Sequence, residues 1–235
     1  TACFTEAMRQ VDERLTVEWA LVDGDRCEPG GVLGTVAGPL ASMLTAERTA
    51  LNFLGHLSGI ATLTARFVEA AGGSLRVWDT RKTTPGLRSL EKAAVRAGGG
   101  ANHRGNLSEW VMLKDNHLEL VGMAEAVARA RELFPARTVH VECDTHDKVV
   151  EALGVGADAL LLDNMTPDEA RACVVTIEET TRDGRRPVVE LSGGITLDSL
   201  SAYASVGADL VSSGALTNSA PVLDIGLDVV ATHAG

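Results

Sequence analysis

From residue 73 onward, short apolar runs recur at 75–78 (LRVW), 110–113 (WVML), 139–143 (VHVEC), 159–162 (ALLL), 188–191 (VVEL) and 210–212 (LVS). Each is followed within a residue or two by a polar or Gly-rich stretch, and helical patterns such as 122–133 and 167–179 lie between the later ones. Strand, loop, helix and strand in repeating order is the pattern of βα units and a parallel sheet. Six strands are expected, with a short seventh hidden in 98–103. That many consecutive units favours a closed or nearly closed (incomplete) α/β barrel over an open sheet.

The first 72 residues follow another rhythm. Residues 1–15 read as the end of an amphipathic helix, 16–22 (TVEWALV) alternate like a strand, and further short strands are expected around 32–37. Turn signals at Asp23-Gly24-Asp25 and Glu28-Pro29-Gly30-Gly31 separate them. From Thr45 to about Ala71 the spacing is helical, with Ser58-Gly59 expected to interrupt the helix and Gly72-Gly73 to end it. The chain begins at Thr1, as if inside a helix, so an N-terminal segment is expected to precede it.

Composition narrows the partners. The net charge is -11, which opposes binding to a phosphate backbone, so no nucleic acid is expected. No apolar run approaches the roughly 20 residues that cross a bilayer, so no membrane is expected. Cys3, Cys27, Cys143 and Cys173 form no CxxC pair or zinc spacing, which fits four reduced thiols in a cytoplasmic protein. Aromatic residues make up only 3% of the chain, so the core must be built from Ala, Val and Leu.

In such barrels the chemistry sits at the C-terminal ends of the strands. Those ends carry Asp79-Thr80-Arg81-Lys82, Asn102-His103-Arg104, Lys114-Asp115-Asn116-His117, Glu142, Asp163-Asn164, Ser192-Gly193-Gly194 and Ser213-Gly214-Ala215. Cations fill the early ends, acids the middle and small residues the last two. Arg81, Lys82, Arg104 and Lys114 are expected to bind small polyanions, since guanidinium forks and ammonium charges suit carboxylate and phosphate. Arg88, Lys92 and Arg96, near i, i+4 spacing, are expected to be mainly a solvated helix face. Glu142 and Asp163 could hold Mg2+ largely through water, or could pair with Lys114 or another base. Ser192, Gly193, Gly194, Ser213, Gly214 and Ala215 are placed to cradle phosphate with backbone N–H groups. His103 is expected in the site and His117 as a possible support. His56, His140, His146 and His233 carry no pattern and are expected to be structural or superficial.

Seven segments then carry a resemblance. LTAERTALNFLGHLSGIAT (44–62), DTRKTTPGLR (79–88), GGGANHR (98–104), LKDNH (113–117), LLDN (161–164), ELSGGI (190–195) and SGALTNSAPVLDIGLD (213–228) resemble, in order, the quinolinate phosphoribosyltransferases. The resemblance implies an α/β barrel with a smaller α+β N-terminal domain. Residues 1–72 would form part of that domain with connecting helices, and 73–235 the barrel, with 216–235 packing back on the first domain. It implies transfer of phosphoribose from phosphoribosyl pyrophosphate to quinolinate with loss of CO2, in NAD synthesis, with Mg2+ as cofactor. It also implies a homodimer with shared sites, alone or assembled into a hexamer, in which Arg48 is lent to the partner. Thr80, Arg81, Lys82, His103, Arg104 and Lys114 would meet the substrate, with Lys114, Glu142 and Asp163 at the reacting centre. Two positions depart from the family's usual text. Gly55-His56 stands where a longer polar residue is usual, and Ser213 where a residue such as Val is. The rival readings are a paralogous phosphoribosyltransferase with another acceptor, associated with molybdenum transport, a Lys114 Schiff-base aldolase, and a non-catalytic phosphosugar sensor.

Overall fold

The computed structural model describes residues 1–181 and 184–230. Helix α1 (Ala2–Val11) packs its Phe4 and Met8 inward, and an antiparallel pair, β1 (Thr16–Trp19) and β2 (Gly34–Ala37), follows. Helix α2 then runs unbroken from Leu40 to Ala71. Gly72 closes it in the left-handed conformation at φ 58°, a backbone that glycine adopts without a Cβ penalty.

Gly59 does not interrupt α2, contrary to the sequence expectation. It lies where the extended backbone after residue 220 crosses the helix, and a Cβ there would meet Pro221 O at 2.0 Å. One turn earlier, a Cβ on Gly55 would sit 2.8 Å from Leu223 O, while Leu223 N donates to Gly55 O at 3.0 Å. The two glycines thus form a seat for main chain, which accounts for a glycine at 55. Beyond the seat, Ile225 and Leu227 pack on the cluster of Phe4, Met8, Leu15, Ala46, Ala50 and Leu51. Residues 231–235, the end of the expected C-terminal contact and the location of His233, lie outside the described residues. Gly59→Ala is expected to cost about 1–3 kcal/mol by overpacking. A thermal melt and proteolysis near 221–227 would register the loss, and an unchanged melt would mean that the crossing yields freely.

The remaining elements alternate: β3 (Arg76–Trp78), α3 (Arg88–Ala97), β4 (Val111–Leu113), α4 (Asp115–Val121), α5 (Met123–Leu133), β5 (Val139–Cys143), α6 (His146–Gly154), β6 (Ala159–Asp163), α7 (Pro167–Thr180), β7 (Val188–Ser192), α8 (Leu197–Tyr203), β8 (Leu210–Ser212) and α9 (Ala215–Asn218). Six strands form a parallel sheet in the order β3-β8-β7-β6-β5-β4. The expected seventh is a single parallel bridge, Trp78 to Ala101, outside β3. The barrel is therefore incomplete, with no ladder among the described residues between Ala101 and β4. Side chains fill that seam: Trp110 stacks on His140 at 5.1 Å and meets the His103 ring edge-on at 4.8 Å.

Strand side chains alternate between two faces. Val77, Leu113, Val139, Val141, Cys143, Leu160, Leu162, Val189, Leu191 and Val211 belong to the core shared with the helices. Their neighbours Trp78, His140, Glu142, Asp163, Glu190 and Ser212 therefore face the barrel interior. Met112, Ala159, Leu161 and Leu210 share that face, so the interior mixes polar and aromatic side chains with the aliphatic ones that usually fill such barrels. No helix among the described residues is long and apolar enough to cross a membrane.

Candidate active site

A parallel sheet brings all its strand C-termini to one edge. The register places Trp78 beside Ser212, Asp163 beside Ser192 and Cys143 beside Leu162. The loops after these positions hold the expected barrel residues, although the residues that hold those loops in place were mostly not foreseen.

Asp79 is the first anchor. Its fully buried carboxylate pairs with Lys92 and accepts the His103 N–H at 2.8 Å and the Asn102 amide at 2.6 Å. Lys92 also donates to His103 O at 2.7 Å. Arg88 donates to Thr83 Oγ1, Gly105 O and Arg81 O, each at 3.0 Å. These contacts correct the reading of Arg88 and Lys92 as a solvated face, while Arg96 is exposed as that reading expected. Lys92 is buried, Arg88 clamps the loops on both sides, and Arg96 pairs with Asn102. Arg88 and Lys92 also line a cavity of about 700 Å3 with Thr83, Gly86 and Asn106, next to the cationic ring. Across α3, buried Glu91 accepts the Thr84 N–H at 3.1 Å and meets His56 Nε2 at 2.8 Å, so His56 braces the same loop from α2.

This scaffold presents cations that lack counter-ions. Arg81 and Lys82 are exposed, Arg104 is only 6% exposed, and none has a carboxylate within ion-pair distance among the described residues. Burial, and then the nearby charge of Arg81, push the Arg104 pKa down. A guanidinium does not deprotonate in practice, so the unfavourable charge remains as a demand for an anion. Thr80 Oγ1 accepts the Lys82 N–H at 3.0 Å, and Thr217 Oγ1 donates to Lys82 O at 2.8 Å, fixing this turn against α9.

Lys114, by contrast, meets Glu142 directly, with side chains 42% and 13% exposed. His117 accepts the Lys114 N–H through Nδ1 at 3.0 Å, a supporting contact at the start of α4. Asp163 Oδ2 accepts from Asn164 Nδ2 at 2.6 Å, and Asn164 is held at φ 57°. A Cβ on Gly193 would strike Asn164 Oδ1 at 2.3 Å, whereas one on Gly194 would meet open space. Ser213 is buried, with N–H bonded to Trp78 O at 3.1 Å and hydroxyl to Ile195 O at 3.4 Å. Gly214 packs against Lys82, where a Cβ would come 2.9 Å from Cδ. Arg48 is exposed on α2, without an ion pair among the described residues, and is not bonded to this edge.

Two interior residues had no assigned part in the site. Glu190 is 1% exposed, and its carboxylate accepts from Ser212 Oγ and lies 3.2 Å from His103 Nε2. Burial pushes its pKa up, but the hydrogen bonds from His103 and Ser212 and the neighbouring His charges outweigh it, leaving a net lowering. His140, expected to be structural or superficial, is buried in the interior and stacked on Trp110, its pKa pulled down to about 4 by burial. A carboxylate midway along an apolar strand was the one signal of Glu190 in the sequence, since an unpaired charge there is costly.

Residues 1–58 match the model of the quinolinate phosphoribosyl transferase N-terminal domain, and residues 60–228 that of the C-terminal domain. The chain belongs to the quinolinate phosphoribosyltransferase family. It is 40% identical over 235 residues to the probable nicotinate-nucleotide pyrophosphorylase [carboxylating] of Bacillus subtilis, covering 99% of this chain and 79% of that one. It is 40% identical over 220 residues to the human nicotinate-nucleotide pyrophosphorylase [carboxylating], covering 92% and 73%. The crystal structure of NadC from Streptococcus pyogenes superposes with a TM-score of 0.88 at 42% identity, covering 95% of this chain and 78% of that one. The boundary between the two family domains falls inside α2, at Gly59.

Proposed function

We propose that this chain transfers the phosphoribosyl group of phosphoribosyl pyrophosphate to quinolinate, giving nicotinate mononucleotide, pyrophosphate and CO2, a step of NAD synthesis. The observation that carries this reading is the cluster of Arg81, Lys82 and Arg104, cations without counter-ions, at the same sheet edge as Lys114, Glu142 and Asp163. Such a cluster suits a pyridine bearing two carboxylates, because each guanidinium can engage a carboxylate at two points.

In this reading Arg81, Lys82, His103, Arg104 and Lys114 hold the dianion with its ring nitrogen toward the anomeric carbon. The nitrogen forms the N–C bond as the C–O bond to pyrophosphate breaks, and Glu142 and Asp163 offset the positive charge on the sugar. The C–C bond to the 2-carboxylate then breaks, its electrons remaining on the ring carbon beside the pyridinium, and that carbon takes a proton. Ser192, Gly193, Gly194, Ser213, Gly214 and Ala215 lie around the phosphate. Ser213, with its N–H and hydroxyl already engaged, contributes packing, while Gly194, open to solvent, contributes its N–H. Positioning supplies most of the rate.

Glu142 and Asp163 are hard oxygen donors, which fits Mg2+. Among the described residues no three His, Cys, Asp or Glu side chains converge as a metal cage, so substrate oxygens and water would complete the shell. Glu142 and Asp163 would hold the ion, which would supply positive charge to offset that of the departing pyrophosphate. Lys114, 42% exposed and against Glu142, lacks the dry setting of a Schiff-base lysine, which counts against an aldolase. The four free cysteines fit a reducing compartment such as the cytoplasm.

The test is an assay with phosphoribosyl pyrophosphate, Mg2+ and either quinolinate or nicotinate, following mononucleotide and CO2. Product with quinolinate and little with nicotinate is expected. Product with neither, from a folded protein, would favour a paralogue with another acceptor. The exposed, unpaired Arg48 fits a residue lent to the partner in a homodimer. Arg48→Ala subunits mixed with Lys114→Ala subunits are then expected to recover part of the activity, and no recovery would argue for self-contained sites.

A further inference from the structure

The buried carboxylate of Glu190 has no part in the reaction scheme above, yet it lies directly behind one of the residues assigned to the substrate. Its two oxygens are divided: Oε1 takes the Ser212 hydroxyl and Oε2 faces His103 Nε2 at 3.2 Å. An ionised carboxylate only accepts hydrogen bonds, so the His103 proton must sit on Nε2. The rest of the ring is equally constrained. The His103 N–H goes to Asp79, its carbonyl receives Lys92, and Trp78 and Trp110 close on the ring edge-on at 5.9 and 4.8 Å. Nδ1 makes no hydrogen bond among the described residues, and it is not among the enclosed unpartnered atoms, which are Trp78 Nε1, Trp110 Nε1 and His140 Nδ1. It is therefore the ring nitrogen with access to the site. The other titratable or charged groups around this pair are Arg104, which follows His103, and His140 across Trp110, with Arg81 and Glu142 near Arg104.

We propose that Glu190 is a positioning residue that acts through His103: its buried carboxylate pins the imidazole proton on Nε2 and fixes the ring, so that Nδ1 is the atom offered to a substrate carboxylate. The inference rests on the quinolinate reading of the site. With Glu190 behind and a substrate carboxylate in front, a ring that takes up one proton from solvent at Nδ1 as the dianion binds gives each anion one N–H. Glu190 also places its negative charge beneath Arg104, limiting the repulsion that an array of cations would otherwise suffer before the dianion arrives. Supporting residues of this kind, which fix the tautomer of a His, typically contribute about 10–100-fold to affinity or activity where they orient metal ligands.

The test uses Glu190→Gln, which keeps the shape of the side chain and can still accept from Ser212. The expected result is a KM for the pyridine dicarboxylate raised about 10-fold or more, following the magnitude for such supporting residues. The KM for phosphoribosyl pyrophosphate should stay within about twofold. In a His103→Gln background the same change should have little further effect, since the route through His103 is already cut. An equal rise in both KM values, or an equal effect in both backgrounds, would overturn the proposal and leave Glu190 a general packing group. Should Glu190→Gln not fold, the 15N resonances of the wild-type imidazole, assigned by their loss in His103→Gln, decide the matter. A proton on Nε2 supports the proposal, and a neutral Nδ1–H tautomer overturns it. Failure of the quinolinate reading itself would look different, as absence of turnover in the wild-type protein.

Discussion

Arg104→Ala is expected to lower kcat/KM for quinolinate by about 10²–10³-fold, the scale for removing one preorganised charge-stabilising donor. The fold is expected to survive. Arg104 is buried without a carboxylate at ion-pair distance, and it repels Arg81, so the folded protein loses no ion pair on its removal. Most large losses of stability come from breaking buried networks or cores, and Arg104 belongs to neither. Steady-state kinetics and a thermal melt on the same preparation check both halves. Near-normal turnover would remove Arg104 from the site, and collapse of the melt would make it a structural residue. Arg104→Lys is expected to recover only part of the loss, because an ammonium cannot reproduce the planar two-point contact.

The second large effect concerns stability. Lys92→Met leaves the Asp79 carboxylate, 0% exposed, without its counter-charge. Removing one partner of a buried pair typically costs about 3–5 kcal/mol, more than the pair contributes when intact. Asp79 would still accept from His103 N and Asn102 Nδ2, but neither brings a full positive charge. Urea denaturation should show the loss as a lower midpoint. Adding Asp79→Asn should restore part of it, because a neutral amide no longer needs the ammonium. A loss below about 1 kcal/mol would place this pair with the solvent-exposed ones. Activity is expected to fall as well, since the Asp79–Lys92 pair holds the backbone that carries His103 and Arg104.

These two residues differ in what the sequence could show of their surroundings. Arg104 was placed in the site because it follows a strand-like run, and the parallel sheet brings such ends together whatever the fine geometry. Lys92 was read as a solvated helix charge, because its spacing with Arg88 and Arg96 has no local sign of burial. Its partner Asp79 lies 13 residues away, beyond any helical period. Gly59 was read as a break in a helix because an isolated glycine weakens one, but its reason is the main chain at Pro221, brought back from the far end of the protein. His140 looked patternless until its strand neighbours set it on the interior face.

The order of elements was therefore determined by sequence alone: short apolar runs, helical patterns between them and glycine stops leave few alternatives to a parallel α/β sheet with its chemistry at one edge. The seven ordered motifs likewise determined the family. Pairing inside the barrel was decided only by the tertiary structure. His103 and Glu190 are 87 residues apart, and nothing in either segment names the other. Whether a charge is left without a counter-ion, as Arg104 is, or becomes a paired brace, as Lys92 and Glu190 are, depends on what the register of distant strands sets within about 3 Å of it. Electrostatic interaction falls with distance in space, and distance along the chain does not report it.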